Sequence, residues 1–60
     1  MKLIEIPDLQ GKIHYISPFN IAGVTDLDNM RKVYLSATVC VSTIQTLLTI
    51  EEIQELLSQS

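Results

Sequence analysis

The chain has 60 residues, and its four Lys and Arg residues against seven Asp and Glu residues give a net charge of −3. This balance disfavours a general nucleic-acid-binding domain, which is expected to be basic. The single cysteine excludes an intrachain disulfide, and together with the single histidine it offers too few ligands for a structural zinc site. We therefore expect one domain over residues 1–60, without metal or cofactor, and stabilised in part by oligomerisation because so short a chain buries a small core.

The N-terminal part alternates apolar and polar residues in a way that predicts two short strands. Residues 2–6 (KLIEI) place Ile4 and Ile6 on one face, and residues 12–17 (KIHYIS) form the second strand. Residues 7–11 (PDLQG) separate them, with a proline that ends the first strand and an Asp and a Gly that favour a turn. The segment lacks the apolar run of a signal peptide, so a cytoplasmic location is the expectation.

A corner and a third strand follow. Residues 18–20 (PFN) form the corner, since the residue before a proline is pushed out of helical geometry, and Phe19 is expected to plug one end of the core. Residues 21–27 (IAGVTDL) form the third strand, in which Gly23 marks a bulge or a close backbone approach. The Asx side chains within 26–29 (DLDN) then favour a turn.

The longest feature is an uncharged stretch of 18 residues, 33–50, that is rich in β-branched side chains. Its length approaches that of a membrane span, but seven polar side chains and the β-branching favour strands, so we expect no membrane association. One strand of this length would reach roughly 50–60 Å, too far for so small a domain. The chain must therefore fold back, most favourably at 36–38 and next at 42–43, with a fourth strand near 32–37 and a fifth near 38–46.

As strand, this stretch has two different faces. One is apolar and is expected to be core: Val33, Leu35, Ala37, Val39 and Val41. The other is neutral and mostly small: Tyr34, Ser36, Thr38, Cys40, Ser42 and Ile44. Such a face is either wetted, as one side of an antiparallel sheet commonly is, or covered by another layer or another copy. Because the stretch lacks the Lys, Glu or Pro that block edge pairing, we expect a homo-oligomer that uses this second face, with a dimer before a ring.

The C-terminal end predicts a capped helix over 50–58. Thr49 and Glu52 have the spacing of a capping box, and Leu48 and Ile53 that of the hydrophobic staple around it. The predicted apolar stripe of the helix comprises Ile50, Ile53, Leu56 and Leu57.

The residues that could carry chemistry lack partners in the sequence. His14 shares its strand face with Lys12 and Ile16, with no carboxylate obviously nearby, so we expect a surface histidine. Cys40 lies in an apolar strand without an adjacent cation and is expected to be a buried small hydrophobe. Residues 26–29 lack the further ligands of a calcium loop and are expected to form a turn. We predict no catalytic residue and no enzymatic activity.

A second kind of site stays open as an alternative. Four residues could form a ligand or nucleic-acid patch beside the aromatic side chains: Lys12, His14, Arg31 and Lys32. They come from several predicted strands, and the acidic net charge weighs against this alternative.

The order of elements resembles the small FlbD-like flagellar regulators of bacteria. The resemblance rests on hydrophobic spacing and a Glu-rich helix, at Gly11, Ile13, Ile21, Val24, Val33, Leu35, Val39, Val41, Glu51, Glu52 and Ile53. Where that family usually has an Asn-Gly hairpin turn, this chain has Ser36-Ala37. The chain is also similar in size and strand–helix order to the CsrA translational regulators, but lacks their Ala-Pro and Arg-rich signatures. These resemblances imply a small regulatory protein of bacterial origin, and many small phage-encoded proteins have the same general look.

We therefore predict an α+β fold: a small bent antiparallel sheet or partial barrel of four to five strands with one C-terminal helix. The predicted function is that of a non-catalytic, homo-oligomeric regulatory or adaptor protein that binds another protein. The alternatives are a nucleic-acid- or nucleotide-binding regulator and a structural assembly subunit.

Overall fold

Five strands and one helix make up the fold of the computed structural model, which describes residues 2–36 and 42–59. In chain order the elements are β1 (Ile4–Pro7), β2 (Ile13–Ile16), a 3-10 turn (Pro18–Asn20), β3 (Ile21–Asp26), β4 (Arg31–Leu35), β5 (Thr43–Thr46) and α1 (Ile50–Ser58). The predicted α+β class is confirmed. The described strands form two antiparallel sheets, a β1–β2 hairpin and a three-stranded sheet in the order β3-β4-β5, and do not close into a barrel.

The β1–β2 hairpin has one buried and one exposed face. Ile4 pairs with Ile16, and all three isoleucines of the inner face, Ile4, Ile6 and Ile16, are buried. On the outer face, Ile13 and Tyr15 remain exposed. The predicted alternation of 2–6 is therefore correct, and the hairpin contributes three of the buried core side chains.

The three-stranded sheet supplies the opposite wall of the core. Val33 in β4 pairs with Ile44 in β5 and with Val24 in β3, and Val33 and Ile44 are buried with Leu35. The pairing of β3 with β4 slips between Ile21 and Gly23, so the bulge predicted at Gly23 is confirmed.

The prediction that placed Ile44 beside Tyr34 on a second face is wrong. Ile44 lies in the core next to Val33, whereas Tyr34 pairs with Thr43 on the outer face. The prediction applied one two-residue alternation to the whole stretch, but the buried positions are odd-numbered in β4 (Val33 and Leu35) and even-numbered in β5 (Ile44). The predictions for Ala37, Thr38, Val39, Cys40 and Val41 lie outside the described residues.

Phe19 does not plug the core, as the sequence had suggested, because its side chain is 82% exposed. The neighbouring Ile21 packs against the core in its place. The corner is held through its backbone instead: the Ser36 N–H donates to the Asn20 carbonyl at 2.7 Å, and the Asn20 N–H donates to the Ser17 carbonyl at 2.9 Å.

The helix begins where the capping box predicts. The Glu52 N–H donates to the Thr49 hydroxyl at 3.1 Å, and the Thr49 N–H donates to the Glu52 carboxylate at 2.9 Å. Ile53 is buried in the core with the strand residues, and Leu48, Leu56 and Leu57 pack against this core. Within the described ranges, no helix combines the length and hydropathy that crossing a bilayer requires.

Candidate functional site

His14 contacts a carboxylate that the sequence analysis did not connect with it. Its Nε2 lies 2.9 Å from Oδ2 of Asp8, and the two side chains are only 20% and 16% exposed. The expectation of a surface histidine without a nearby carboxylate is therefore wrong. Extending the hairpin pairing by one residue beyond Pro7 and Ile13 puts Asp8 opposite Lys12, on the same face as His14. The contact could therefore have been predicted only with the register of the two strands.

Asp8 also organises the hairpin turn. Its Oδ1 accepts the backbone N–H groups of Gln10 and Lys12 at 2.9 and 3.0 Å, and its own N–H donates to the Lys12 carbonyl at 2.8 Å. Gly11 has a φ of 88°, a conformation that favours glycine. Because the Asp8 side chain is tied to the turn on one oxygen and to His14 on the other, the pair has a structural role in closing the hairpin.

The same contacts lower the pKa of the Asp8 carboxyl below its ordinary value of 3.8. The hydrogen bond with His14 is the largest cause, desolvation opposes it, and the amides of Lys12 and Gln10 lower the pKa further. An ionised carboxylate can only accept a hydrogen bond, so Nε2 of His14 is the donor in this contact.

A cleft of about 290 Å³ opens between this pair and strand β5. Asp8, Gln10 and His14 border it on the hairpin side, and Thr43, Ile44 and Gln45 border it on the other side. Nucleophilic catalysis would need a nucleophile hydrogen-bonded to the histidine. The described hydrogen bond of the His14 imidazole goes instead to Asp8, a carboxylate that closes the hairpin turn. In the described part of the chain, no group of three or more His, Cys, Asp or Glu side chains could hold a metal ion.

Arg31 is engaged inside the fold. Its Nε donates to the Leu48 carbonyl at 2.8 Å and a terminal nitrogen donates to the Leu47 carbonyl at 3.1 Å. The other terminal nitrogen lies 3.4 Å from the Asp26 carboxylate. The guanidinium thus holds the connection between β5 and α1 and is not available as a phosphate contact.

The other residues of the predicted patch come from the hairpin and from β4. Lys32 follows Arg31 in β4 and points to the outer face, where its ammonium lies 5.8 Å from the centre of the Tyr34 ring. Lys12 is exposed in the hairpin turn. Gln45 connects the two regions, since it pairs with Lys32 and also lines the cleft beside His14. Of the four predicted patch residues, Arg31 is engaged inside the fold, whereas His14 and Lys32 both lie beside Gln45.

The predicted oligomer face is also divided. Tyr34 and Ser42 are exposed, whereas Ile44 is in the core. Ser36 is half-buried and its hydroxyl lies 3.3 Å from the Asn20 side-chain oxygen. Thr38 and Cys40 lie outside the described residues. Of the predicted set, Tyr34 and Ser42 are the described residues that remain accessible to another copy.

An exposed apolar surface lies elsewhere, on strand β2. Ile13 and Tyr15 are 46% and 61% exposed, side by side on the outer face of β2. β2 is also an edge strand, as β1 is, because the sheet that these two described strands form has no third strand. The alternation of KIHYIS identifies the two residues as one face, but only the packing of the hairpin shows that this face is the outer one.

Comparison of the chain with protein-family models, curated proteins and solved structures finds no match.

Proposed function

We propose that this protein is a non-catalytic, homo-oligomeric regulatory or adaptor module of the cytoplasm that acts by binding another protein. The observation that carries the proposal is the apolar outer face of β2, formed by Ile13 and Tyr15. Contiguous exposed apolar surface is typical of protein-interaction sites, whereas single exposed apolar residues need no explanation.

The distribution of apolar side chains supports the same proposal. Among the described residues, eight large hydrophobic side chains are exposed, against seven apolar side chains that form the buried core. A 60-residue chain has little stability in reserve, so association that covers part of this surface would stabilise it. Edge strand β2 offers backbone groups for pairing as well as the two apolar side chains.

Nucleic-acid binding, the alternative, receives less support. Arg31 is committed to backbone carbonyls, and the Lys32 ammonium lies over the Tyr34 ring. A phosphate backbone needs several cations along one track. The resemblance to FlbD-like regulators stays a prediction and is compatible with a protein-binding role.

Sedimentation velocity at micromolar concentration tests the proposal. We expect the wild type to sediment as an oligomer, and Tyr15→Lys to shift it to the monomer because a charge enters the contact. Tyr34→Lys is the matched control, since Tyr34 is an exposed tyrosine on the outer face of the other sheet. If Tyr34→Lys alone dissociates the oligomer, the contact lies on the three-stranded sheet. A wild type that is folded and monomeric at every concentration would contradict self-association.

A further inference from the structure

The net charge of the chain is concentrated on its helix. Residues 1–49 contain four cations and four carboxylates, which cancel, so the net charge of −3 is carried by Glu51, Glu52 and Glu55. The last turn of α1 contains no basic side chain to offset the negative end of the helix dipole. The helix therefore gives this side of the molecule a negative potential.

A groove runs along this side, between α1 and β1. It consists of two adjoining clefts of about 370 and 330 Å³ that share Glu5, Leu56 and Gln59. Leucine side chains provide apolar surface and three carboxylates lie among them. We name this the acidic groove and define it by Leu3, Glu5, Leu48, Glu52, Glu55 and Leu56.

The carboxylates of the groove are held in place without being neutralised. One oxygen of Glu52 accepts the Thr49 N–H at 2.9 Å, and one oxygen of Glu55 accepts the Gln59 side-chain N–H at 3.0 Å. Both donors are uncharged amides, so each carboxylate keeps its charge and its second oxygen can accept from an incoming cation. Lys2 lines one end of the groove and weakens the negative potential there.

We propose that the acidic groove binds a basic, apolar peptide segment of a partner protein, which presents leucine-sized side chains interspersed with Lys or Arg. This inference rests on the proposed protein-binding function and names the class of partner. The leucines supply apolar area, and the carboxylates select cations and repel acidic segments. A second copy of the chain is a poor occupant, because its helix carries the same negative charge.

The test uses the full chain and a short fluorescein-labelled peptide with leucine and lysine at alternate positions. Fluorescence anisotropy is expected to show binding that weakens as salt is raised, because exposed charges are screened. The same peptide with glutamate in place of lysine should not bind. Sedimentation of the same protein samples reports self-association independently of the peptide.

Four charge variants locate the binding site. Glu5→Gln and Glu55→Gln are each expected to weaken binding about two- to fivefold, the range for exposed charge pairs. Glu51→Gln is the matched control, since it removes the same charge from the same helix but lies outside the groove, and should leave binding nearly unchanged. Lys2→Gln should tighten binding, because it removes the cation at the end of the groove.

The apolar part of the groove is tested by Leu3→Ser. Leu3 is exposed, so the fold should persist, and we expect binding to fall about five- to tenfold through lost apolar burial. Leu47→Ser is the matched control, an exposed leucine outside the groove.

The outcomes separate this inference from the proposed function. Equal weakening by Glu51→Gln and Glu55→Gln would mean general attraction to the acidic helix and would overturn the groove. A wild type that self-associates yet does not bind the basic peptide would overturn the groove and leave the protein-binding proposal in place. A wild type that binds the peptide as a monomer would support the groove and contradict the homo-oligomer.

Discussion

The two sheets of this protein present different outer faces to water. The outer face of the three-stranded sheet is mostly polar, with Thr25, Lys32, Thr43 and Gln45 around Tyr34. The outer face of the hairpin carries Ile13 and Tyr15 on β2, with Pro7 and Glu5 opposite them on β1. A polar outer face is satisfied by water, whereas an apolar one can gain free energy by association. The outer face of the hairpin is therefore the region through which we expect copies of this protein to associate.

The two sheets also differ in the sequence separation between the residues that their side-chain hydrogen bonds join. We call the Asp8–His14 contact the hairpin anchor and the Arg31 contacts the Arg31 anchor. The hairpin is closed locally, since Asp8 contacts His14 only six residues away. The three-stranded sheet is tied to the start of the helix by Arg31, which reaches carbonyls 16 and 17 residues away. The hairpin anchor thus acts within one turn, while Arg31 connects elements that come together only in the folded chain.

The largest expected effect tests whether the two faces of the hairpin differ as described. Ile6 is fully buried on the inner face, so Ile6→Ala should reduce the free energy of unfolding by about 2–5 kcal/mol. Ile13→Ala, on the exposed outer face, should cost less than about 1 kcal/mol. Urea denaturation measures both, and Ile6→Val, expected to cost about 0.5–1.5 kcal/mol, serves if the alanine variant does not fold. Equal losses for Ile6→Ala and Ile13→Ala would contradict the assignment of the faces.

The next largest loss of stability is expected when the Arg31 anchor of the three-stranded sheet is removed. Arg31→Ala leaves the Leu47 and Leu48 carbonyls without their donor and should cost about 1–3 kcal/mol. Its neighbour Lys32 is the control, and Lys32→Ala should change the free energy of unfolding by about 0.5 kcal/mol or less. Chemical denaturation of the two variants measures both free energies of unfolding. If Lys32→Ala is the more damaging, Arg31 is not the anchor.

A smaller loss of stability is expected at the N-cap of the helix, directly after the two leucines that Arg31 contacts. Thr49→Ala removes the hydroxyl that accepts the Glu52 N–H and should cost about 1 kcal/mol. Thr25→Ala, an exposed threonine in β3, should change the stability by no more than about 0.5 kcal/mol. An unchanged denaturation midpoint for Thr49→Ala would show that the cap does not stabilise the helix.

The smallest expected effect is the pH dependence of the stability that the Asp8–His14 contact provides. The pKa of Asp8 is lowered in the folded protein, so its ionised form contributes stability that is fully present above 3.8. That contribution is lost as the pH falls through the lowered pKa. Asp8→Asn removes it, so the difference in unfolding free energy between wild type and variant should be largest near neutral pH and shrink in acid.

The control for this pH dependence is Asp28→Asn, in the exposed turn before β4. Its difference from the wild type should vary much less over the same acid range. A constant difference for Asp8→Asn between neutral and acid pH would contradict a stabilising Asp8–His14 hydrogen bond.

Features of this protein that depend on neighbouring residues were predictable from the sequence. The α+β class, the helix at Ile50–Ser58, the Thr49–Glu52 capping box and the inner face of Ile4 and Ile6 all follow from spacing within a few positions. Caps and two-residue alternation are local, since each is set by residues less than about one or two turns apart.

Only the tertiary structure decided which side chains meet across the chain. The position of Ile44 beside Val33, the exposure of Phe19 and the contacts of Arg31 depend on where the chain reverses and which layer covers each face. A shift of one residue in a connection moves every following side chain to the other face of a strand. The Asp8–His14 contact required the hairpin register for the same reason, because local alternation specifies the faces of each strand but not which residue lies opposite.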